Sequence, residues 1–289
     1  MTAPATELLV ETDALVQRLG DPMLRIFDCT VILEFGPDGV SFRSGRGDWA
    51  AAHIPGSDFL DLLAELSDPV SPYRFMLPPA EQFAEAMSAH GVEDGTRVVL
   101  YDSRGSMWAA RVWWMLRAYG FDGAAVLNGG WTKWTLEGRP TSETPAGYRP
   151  ASFRARPRPG VFADKEAVLA GIGDGGTCLL NGLPEPLHRG TGPASPGRRP
   201  GHIPTSLSMP AEELVDPVTQ AYLPEAQLRA RLERTGALSA DSVITYCGGG
   251  IAASGVAFAL TLLGKEGVAV YDASLEEWAT DPSLPLEVG

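Results

Sequence analysis

The sequence predicts an α/β protein built twice over, each half a mainly parallel sheet with helices on both faces. Three observations predict it. Short apolar runs rich in β-branched residues alternate with longer amphipathic ones, the pattern of strand–helix–strand units around a parallel sheet. A set of landmarks recurs in the same order at a nearly constant offset. Between the two sets, residues 140–160 are rich in Pro, Arg and Ser with no apolar period, which reads as an extended connection over the surface.

In the first half, Leu24-Arg-Ile-Phe-Asp28 is a short apolar run, and His53-Ile-Pro-Gly-Ser reads as a turn. Pro79–His90 places apolar residues at helical intervals, opens on a proline as the first helical position allows, and is followed by Gly91 where a helix-ending glycine belongs. Arg97–Tyr101 is β-branched and aromatic, a buried strand. After the loop at Asp102 comes an apolar helical run. Its Trp108, Trp113, Trp114 and Met115 read as core or domain interface, not as a cofactor box. Val126-Leu-Asn-Gly-Gly-Trp-Thr-Lys-Trp134 closes the unit.

The second half repeats this order: Cys178-Leu-Leu-Asn181, His202-Ile-Pro-Thr-Ser, a helix over Pro224–Thr235 with Gly236 behind it, and a strand over Ser242–Tyr246. The Cys247 loop follows, then a helical run over Ala252–Leu263 closed by Gly264, and Val270-Tyr-Asp-Ala-Ser-Leu-Glu-Glu-Trp278. The offset is 145 at Asp102/Cys247 and 144 at Trp134/Trp278, so a single-residue gap separates them. The chain is a tandem duplication, with a first domain over 1–145, a linker over 146–160 and a second domain over 161–289.

Composition removes several function classes. With 44% hydrophobic and 20% charged residues among 289, the chain carries enough apolar surface to build cores and is not disordered. No apolar stretch approaches the ~20 residues a membrane helix needs. The start, Met1-Thr-Ala-Pro-Ala-Thr-Glu7, lacks the basic region of a secretory or mitochondrial leader, so the chain reads as cytoplasmic. A net charge of −13 repels nucleic acid and anionic membranes. Three scattered cysteines and four histidines, none at metal-ligand spacing, predict no disulfide framework, no metal and no cofactor.

Tyr246-Cys-Gly-Gly-Gly-Ile-Ala-Ala-Ser254 carries the chemistry. It puts Cys247 at a strand's C-terminal end, where open α/β sheets hold their ligands. Gly248, Gly249 and Gly250 let the chain curl with amides turned inward, and the helix N-terminus at Ile251 and Ala252 adds roughly half a positive charge. The loop has the features of a cradle for a sulfur anion. The bland alternatives are a glycine turn around an inert thiol, or a phosphate loop in which the cysteine is incidental. The place of Cys247 at the head of the loop favours a nucleophile. Cys178 and Cys29 sit within apolar runs and read as core.

These motifs, with Phe27-Asp-Cys-Thr, Arg111-Val-Trp-Trp-Met and the terminal Tyr-Asp-Ala-Ser-Leu-Glu-Glu-Trp, resemble the two-domain rhodanese sulfurtransferases from about Leu24 to Trp278. The resemblance implies that only the C-terminal loop is catalytic, in keeping with Asp102 at the cysteine's place in the first half. It also implies a two-step reaction: Cys247 takes sulfur from a small anionic donor as a persulfide, then passes it to a thiol, cyanide or an acceptor protein. Thiosulfate enzymes of the family carry basic residues where this chain has Gly248 and Gly249, which favours 3-mercaptopyruvate as donor. Mercaptopyruvate enzymes, however, read Cys-Gly-Ser-Gly-Val-Thr-Ala, and their hydroxyls are missing here. A thiosulfate enzyme, a partner-directed persulfide carrier and a purely binding module remain the alternatives.

The segment from Leu187 to His202 corresponds to a stretch of the family that supplies substrate-binding arginines. Leu187 replaces one of them, leaving Arg189 and Arg198 or Arg199 to grip a carboxylate, with His188 beside them, unless the arginines are merely solvated. Asn181-Gly-Leu replaces the family's Asp-x-Arg. The His53/His202 pair, shared by both halves, reads as structural. A cysteine phosphatase would need an arginine at the position of Ala253, which argues against that class.

Overall fold

The computed structural model describes residues 7–36, 39–193 and 197–289; residues 1–6, on which the reading of the N-terminus rests, lie outside the described residues. The first half runs β1 (Leu9–Val10), α1 (Thr12–Val16), β2 (Leu24–Asp28), β3 (Val31–Gly36), β4 (Gly39–Ser44), α2 (Arg46–Ala51), β5 (Ser57–Phe59), α3 (Ala80–Ala89), β6 (Arg97–Tyr101), α4 (Met107–Ala118), β7 (Ala124–Leu127) and α5 (Gly130–Leu136). The second runs β8 (Phe162–Ala163), α6 (Lys165–Gly171), β9 (Thr177–Asn181), α7 (Glu185–His188), β10 (Leu207–Ser208), a 3₁₀ turn (Ala211–Leu214), α8 (Glu225–Glu233), β11 (Ser242–Tyr246), α9 (Ile251–Leu262), β12 (Val268–Tyr271) and α10 (Ser274–Trp278).

The α/β expectation holds in both halves. One parallel sheet has the order β1-β7-β6-β2-β5 and the other β8-β12-β11-β9-β10, so equivalent strands occupy equivalent places. The central strands β6 and β11 are buried from their second residue onward, as expected of β-branched runs covered on both faces. The first half adds an antiparallel hairpin, β3–β4, whose Phe42 packs edge-on against Phe75 at 5.0 Å.

The helix boundaries differ slightly from the sequence reading. Pro79 and Pro224 are the N-caps of α3 and α8, one place before the first helical residue, with extended ψ values of 149° and 145°. A proline fixes φ near −65°, which suits either place, and the missing N–H is harmless at both. Gly91 and Gly236 end these helices with φ of +72° and +71°, as the sequence suggested.

The halves meet through α4 and α9. Trp108, Trp113, Trp114 and Met115 are all buried; Trp113 meets Phe258 edge-on at 5.0 Å, and the Trp114 indole donates to the carbonyl of Val161 at 2.8 Å. The connecting stretch follows the surface of the first half. Ser142 bridges to His53, the amides of Ala151 and Arg156 bond to Ser88 and Tyr119, and Phe153 is buried against Phe83 and Phe121. The tail of the second half does the same, with Glu287 bridging to His202. Among the described residues, no helix is long and apolar enough to cross a membrane.

His90, at the end of α3, lies between two carboxylates, with Nδ1 2.9 Å from Asp58 and Nε2 3.1 Å from Glu65. Burial works against its charge, but the bonds to Asp58 and Glu65 prevail and raise its pKa to about 9. A pKa raised above the free value of 6.5 gives stability that is fully present below 6.5 and fades as pH climbs through about 9. The expected result is that His90→Gln lowers the melting temperature most near pH 6. Melting curves of both proteins from pH 6 to 10 should converge toward the alkaline end.

Candidate active site

The site grows from the junction of β11 and α9. Cys247 stands at the end of the strand and is 2% exposed. The loop turns through Gly250, whose φ of +77° is a left-handed conformation; a Cβ there would stand 2.7 Å from the carbonyl oxygen of Asp272. The start of α10 holds the loop from behind. Ser274 Oγ accepts the amides of Cys247 (3.1 Å) and Gly250 (3.2 Å) and donates to the Tyr271 carbonyl (2.7 Å). The amides of Leu275 and Glu276 bond to the carbonyls of Cys247 and Gly248, each at 3.0 Å. That leaves the amides of Gly248, Gly249, Ile251, Ala252 and Ala253 without a partner among the described residues.

The first half contains the same loop with its anion site filled. The carboxyl group of Asp102 accepts the amides of Arg104 (2.6 Å), Ser106 (3.1 Å), Trp108 (2.8 Å) and Ala109 (2.9 Å). Burial raises the Asp102 pKa above the ordinary carboxylate range, and the amides of Ala109, Arg104, Trp108 and Ser106 pull the other way. Trp108 and Ala109 match Ala252 and Ala253 in the repeat, so amides that close on a carboxylate in one half stand open beside a thiol in the other. Arg104 meets Asp102 through its backbone N–H.

Of the four side chains expected to hold a donor, one lies at the loop. Arg198 is half-buried, with Nη2 2.6 Å from Glu276 Oε1 and Nη1 3.5 Å from the Gly248 carbonyl. Arg199 donates to the backbone carbonyls of Trp278, Ala279 and Asp281 and so ties down the chain after α10. Arg189 is exposed and pairs with Glu185 one turn earlier at 2.7 Å. His188 is buried and stacked on His202 with ring centres 4.0 Å apart; burial, helped by His202, pushes its pKa down to about 4. Its Nδ1 lies 3.2 Å from Asn181 Nδ2, while His202 Nδ1 is 2.8 Å from the His188 carbonyl. His53 likewise bonds backbone carbonyls, those of Trp49 and Thr144. Beside Gly248 lies a cavity of about 130 Å³, lined by apolar side chains, among them Leu183, Leu187, Pro193 and Leu275, and by two arginines, Arg198 and Arg199. Cys29 is buried and Cys178 partly so; burial raises the pKa of both, as suits cysteines that pack rather than react.

The sequence reading missed a clasp across the cleft. Arg111, on α4, is fully buried, and its Nη2 lies 2.5 Å from both Asp272 Oδ1 and the Phe75 carbonyl. Asp272 Oδ2 accepts the Leu77 amide at 2.8 Å. Glu276 accepts the Arg74 amide at 3.0 Å and its Nε at 2.8 Å. Two carboxylates just behind the Cys247 loop thus grip the 74–77 loop of the other half. The repeat returns the favour with Asn128, which matches Asp272 and accepts the amide of Tyr222 at 2.8 Å. The available signal was Arg111 itself, the one charged residue inside the apolar run from Met107 to Leu116.

Comparison with known proteins agrees with this geometry. The family profile described as Rhodanese-like domain matches residues 11–137 and 196–281. The thiosulfate sulfurtransferase of Mus musculus is 34% identical over 265 residues, covering 90% of this chain and 86% of that protein. The 3-mercaptopyruvate sulfurtransferase of Homo sapiens is 35% identical over 239 residues, covering 82% and 80%. The crystal structure of SseA from Escherichia coli, described as a 3-mercaptopyruvate sulfotransferase, superposes with a TM-score of 0.81 at 30% identity, covering 93% of this chain and 99% of that one.

Proposed function

This chain belongs to the rhodanese family and is a sulfurtransferase, in which we propose that Cys247 carries sulfane sulfur from a small anionic donor, 3-mercaptopyruvate before thiosulfate, to a thiol or cyanide. The observation that carries the reading is the pair of loops. Where the first half closes its cradle on the Asp102 carboxylate, the second leaves the matching amides open beside a thiol. A site that accommodates a carboxylate through backbone N–H groups suits a persulfide, which is also anionic and needs several donors at once.

In the first step the Cys247 thiolate attacks the donor's sulfur. With 3-mercaptopyruvate the carbon–sulfur bond breaks, its electron pair passes into the enolate of pyruvate, and that carbon takes up the proton given up by the thiols. With thiosulfate the sulfur–sulfur bond breaks and sulfite leaves with the electron pair. In the second step a thiolate or cyanide attacks the outer sulfur of the persulfide, and the Cys247 thiolate is released unchanged. The electron count closes without a redox cofactor. Amides of Gly248, Gly249, Ile251 and Ala252 stabilise the charge in both steps, and the donor's anionic group goes to Arg198, a reading supported by its approach to the Gly248 carbonyl. The mercaptopyruvate preference rests on Gly248 and Gly249, which offer no basic side chain to a dianion.

The test is intact-protein mass after separate exposure to the two donors, with Cys247→Ser alongside. The expected result is one added sulfur on the parent chain, removed by cyanide, absent from the variant and faster from 3-mercaptopyruvate. Added sulfur on Cys247→Ser would overturn the assignment of the carrier. Faster loading from thiosulfate would reverse the donor order. No sulfur from either donor would leave a partner-directed carrier or a binding module as the better reading.

A further inference from the structure

We propose that Glu276 is a specificity-determining residue, a built-in anion that limits the donor at Cys247 to one negative charge; this rests on the sulfur-transfer reading above. Two guanidinium groups from opposite halves converge on its carboxylate. Arg198 Nη2 lies 2.6 Å from Oε1, and Arg74 brings Nε and Nη2 to 2.8 Å from the same oxygen while its amide takes Oε2 at 3.0 Å. The Glu276 side chain is only 13% exposed, so solvent screens it weakly. Its amide bonds to the Gly248 carbonyl, and Oε2 stands 3.3 Å from where a Cβ on Gly249 would be. The carboxylate therefore sits against the residue two places after the nucleophile.

Arg198 and Arg199 both line the cavity beside Gly248, the latter with its Nε and Nη2 on backbone carbonyls, and Arg74 approaches from the other half. Glu276 cancels one positive charge of the pair it touches, so a ligand at Arg198 meets a weaker positive field than Arg74 and Arg198 alone would give. A monoanion gives up less of its attraction to that cancellation than a dianion does. A dianion carries a second charge into the field of a partly buried carboxylate, where like charges repel strongly. The uncharged part of the ligand has a place as well, in the small cavity bordered by Leu183, Leu187 and Leu275 beside Gly248. The donor class is thus an organic monoanion with a short apolar body, such as a 2-oxo-3-thio acid or an alkyl thiosulfonate, rather than an inorganic dianion. Glu276 also braces the two halves through Arg74, and the experiment has to separate charge from bracing.

Rates of sulfur loading with 3-mercaptopyruvate and with thiosulfate make that separation for the parent chain, Glu276→Gln, Glu276→Asp and Arg74→Ala. Glu276→Gln is expected to raise the thiosulfate-to-mercaptopyruvate ratio of kcat/KM at least about tenfold, with a steeper fall of the thiosulfate rate as salt is added. Glu276→Asp keeps the charge and leaves the ratio near the parent's. Arg74→Ala removes a positive charge and moves the ratio the opposite way. A bracing role alone predicts that Glu276→Gln and Arg74→Ala slow both donors equally, and an unmoved ratio in these variants overturns the proposal. A parent chain that loads sulfur from neither donor overturns the sulfur-transfer reading and this proposal with it; a parent that loads normally beside an unmoved ratio overturns this proposal alone.

Discussion

A Gly250→Ala chain is expected to fold and yet to load sulfur on Cys247 about 100-fold or more slowly than its parent. The reason is local and steric. Gly250 holds φ at +77°, and a methyl group there would stand 2.7 Å from the backbone oxygen of Asp272 and 3.1 Å from Arg111 Nη1. Neither neighbour is a free side-chain end that can swing aside: one is backbone, the other belongs to a buried ion pair. The loop must give instead, and with it the alignment of the amides that face the sulfur. Losing one preorganised donor in an anion site typically costs about 10²–10³ in rate, whereas a left-handed alanine costs the fold only ~1–2 kcal/mol. Gly236→Ala serves as the control, since it has φ of +71° but nothing within 4 Å of the added methyl. It should lose only the left-handed penalty of ~1–2 kcal/mol, less than Gly250→Ala with its added clash, and keep its loading rate. Melting temperature and the time course of intact mass, measured on both variants, separate the two effects. Gly250→Ala loading as fast as its parent would show that the curl of the loop is not what holds the sulfur.

What the sequence made legible follows from the range of the forces involved. The strands β6 and β11 announce themselves through β-branched residues, and the two loops through glycine and a change of period, because those signals are local. The duplication doubled them. The arginines between Arg189 and Arg199 were ambiguous for the opposite reason. A guanidinium's partner is decided by what packs nearby, and here Arg189 finds Glu185 on its own helix, Arg199 finds three backbone carbonyls, and Arg198 alone reaches Glu276 and Gly248. Glu276 lies inside Tyr-Asp-Ala-Ser-Leu-Glu-Glu-Trp, a stretch whose sequence signal is its match to the first half rather than any chemistry of its own. Its partner Arg74 lies 202 residues away, and no spacing rule connects them. The His53/His202 symmetry, by contrast, pointed to a part shared by both turns, and both rings bond backbone carbonyls in their own half.

The largest effect on stability is expected from Asp272→Ala, about 3–5 kcal/mol. Arg111 is fully buried on α4, and the Asp272 carboxylate is the only acidic partner it has among the described residues. Its Nε and Nη1 have no hydrogen-bond partner among the described residues, so beyond the Phe75 carbonyl at Nη2 and the Phe162 ring 4.8 Å from the guanidinium, little offsets the desolvation of the charge. Removing the carboxylate leaves that cation unpaired and strips the Leu77 amide of its acceptor, both at the seam between the halves. At about 2–4 °C per kcal/mol for a chain of this class, the melting temperature should fall by roughly 6–20 °C. Removing the cation too should reverse most of the loss, because Arg111→Met in the Asp272→Ala background replaces an unpaired charge with a flexible apolar side chain. Thermal melts of the parent, both single variants and the double variant close the cycle. If the double variant melts as low as Asp272→Ala, the carboxylate acts on the 74–77 loop through the Leu77 amide and not through Arg111. If Asp272→Ala melts within about 1 °C of its parent, the pair contributes nothing net to the fold, as some buried pairs do when their desolvation cancels their attraction.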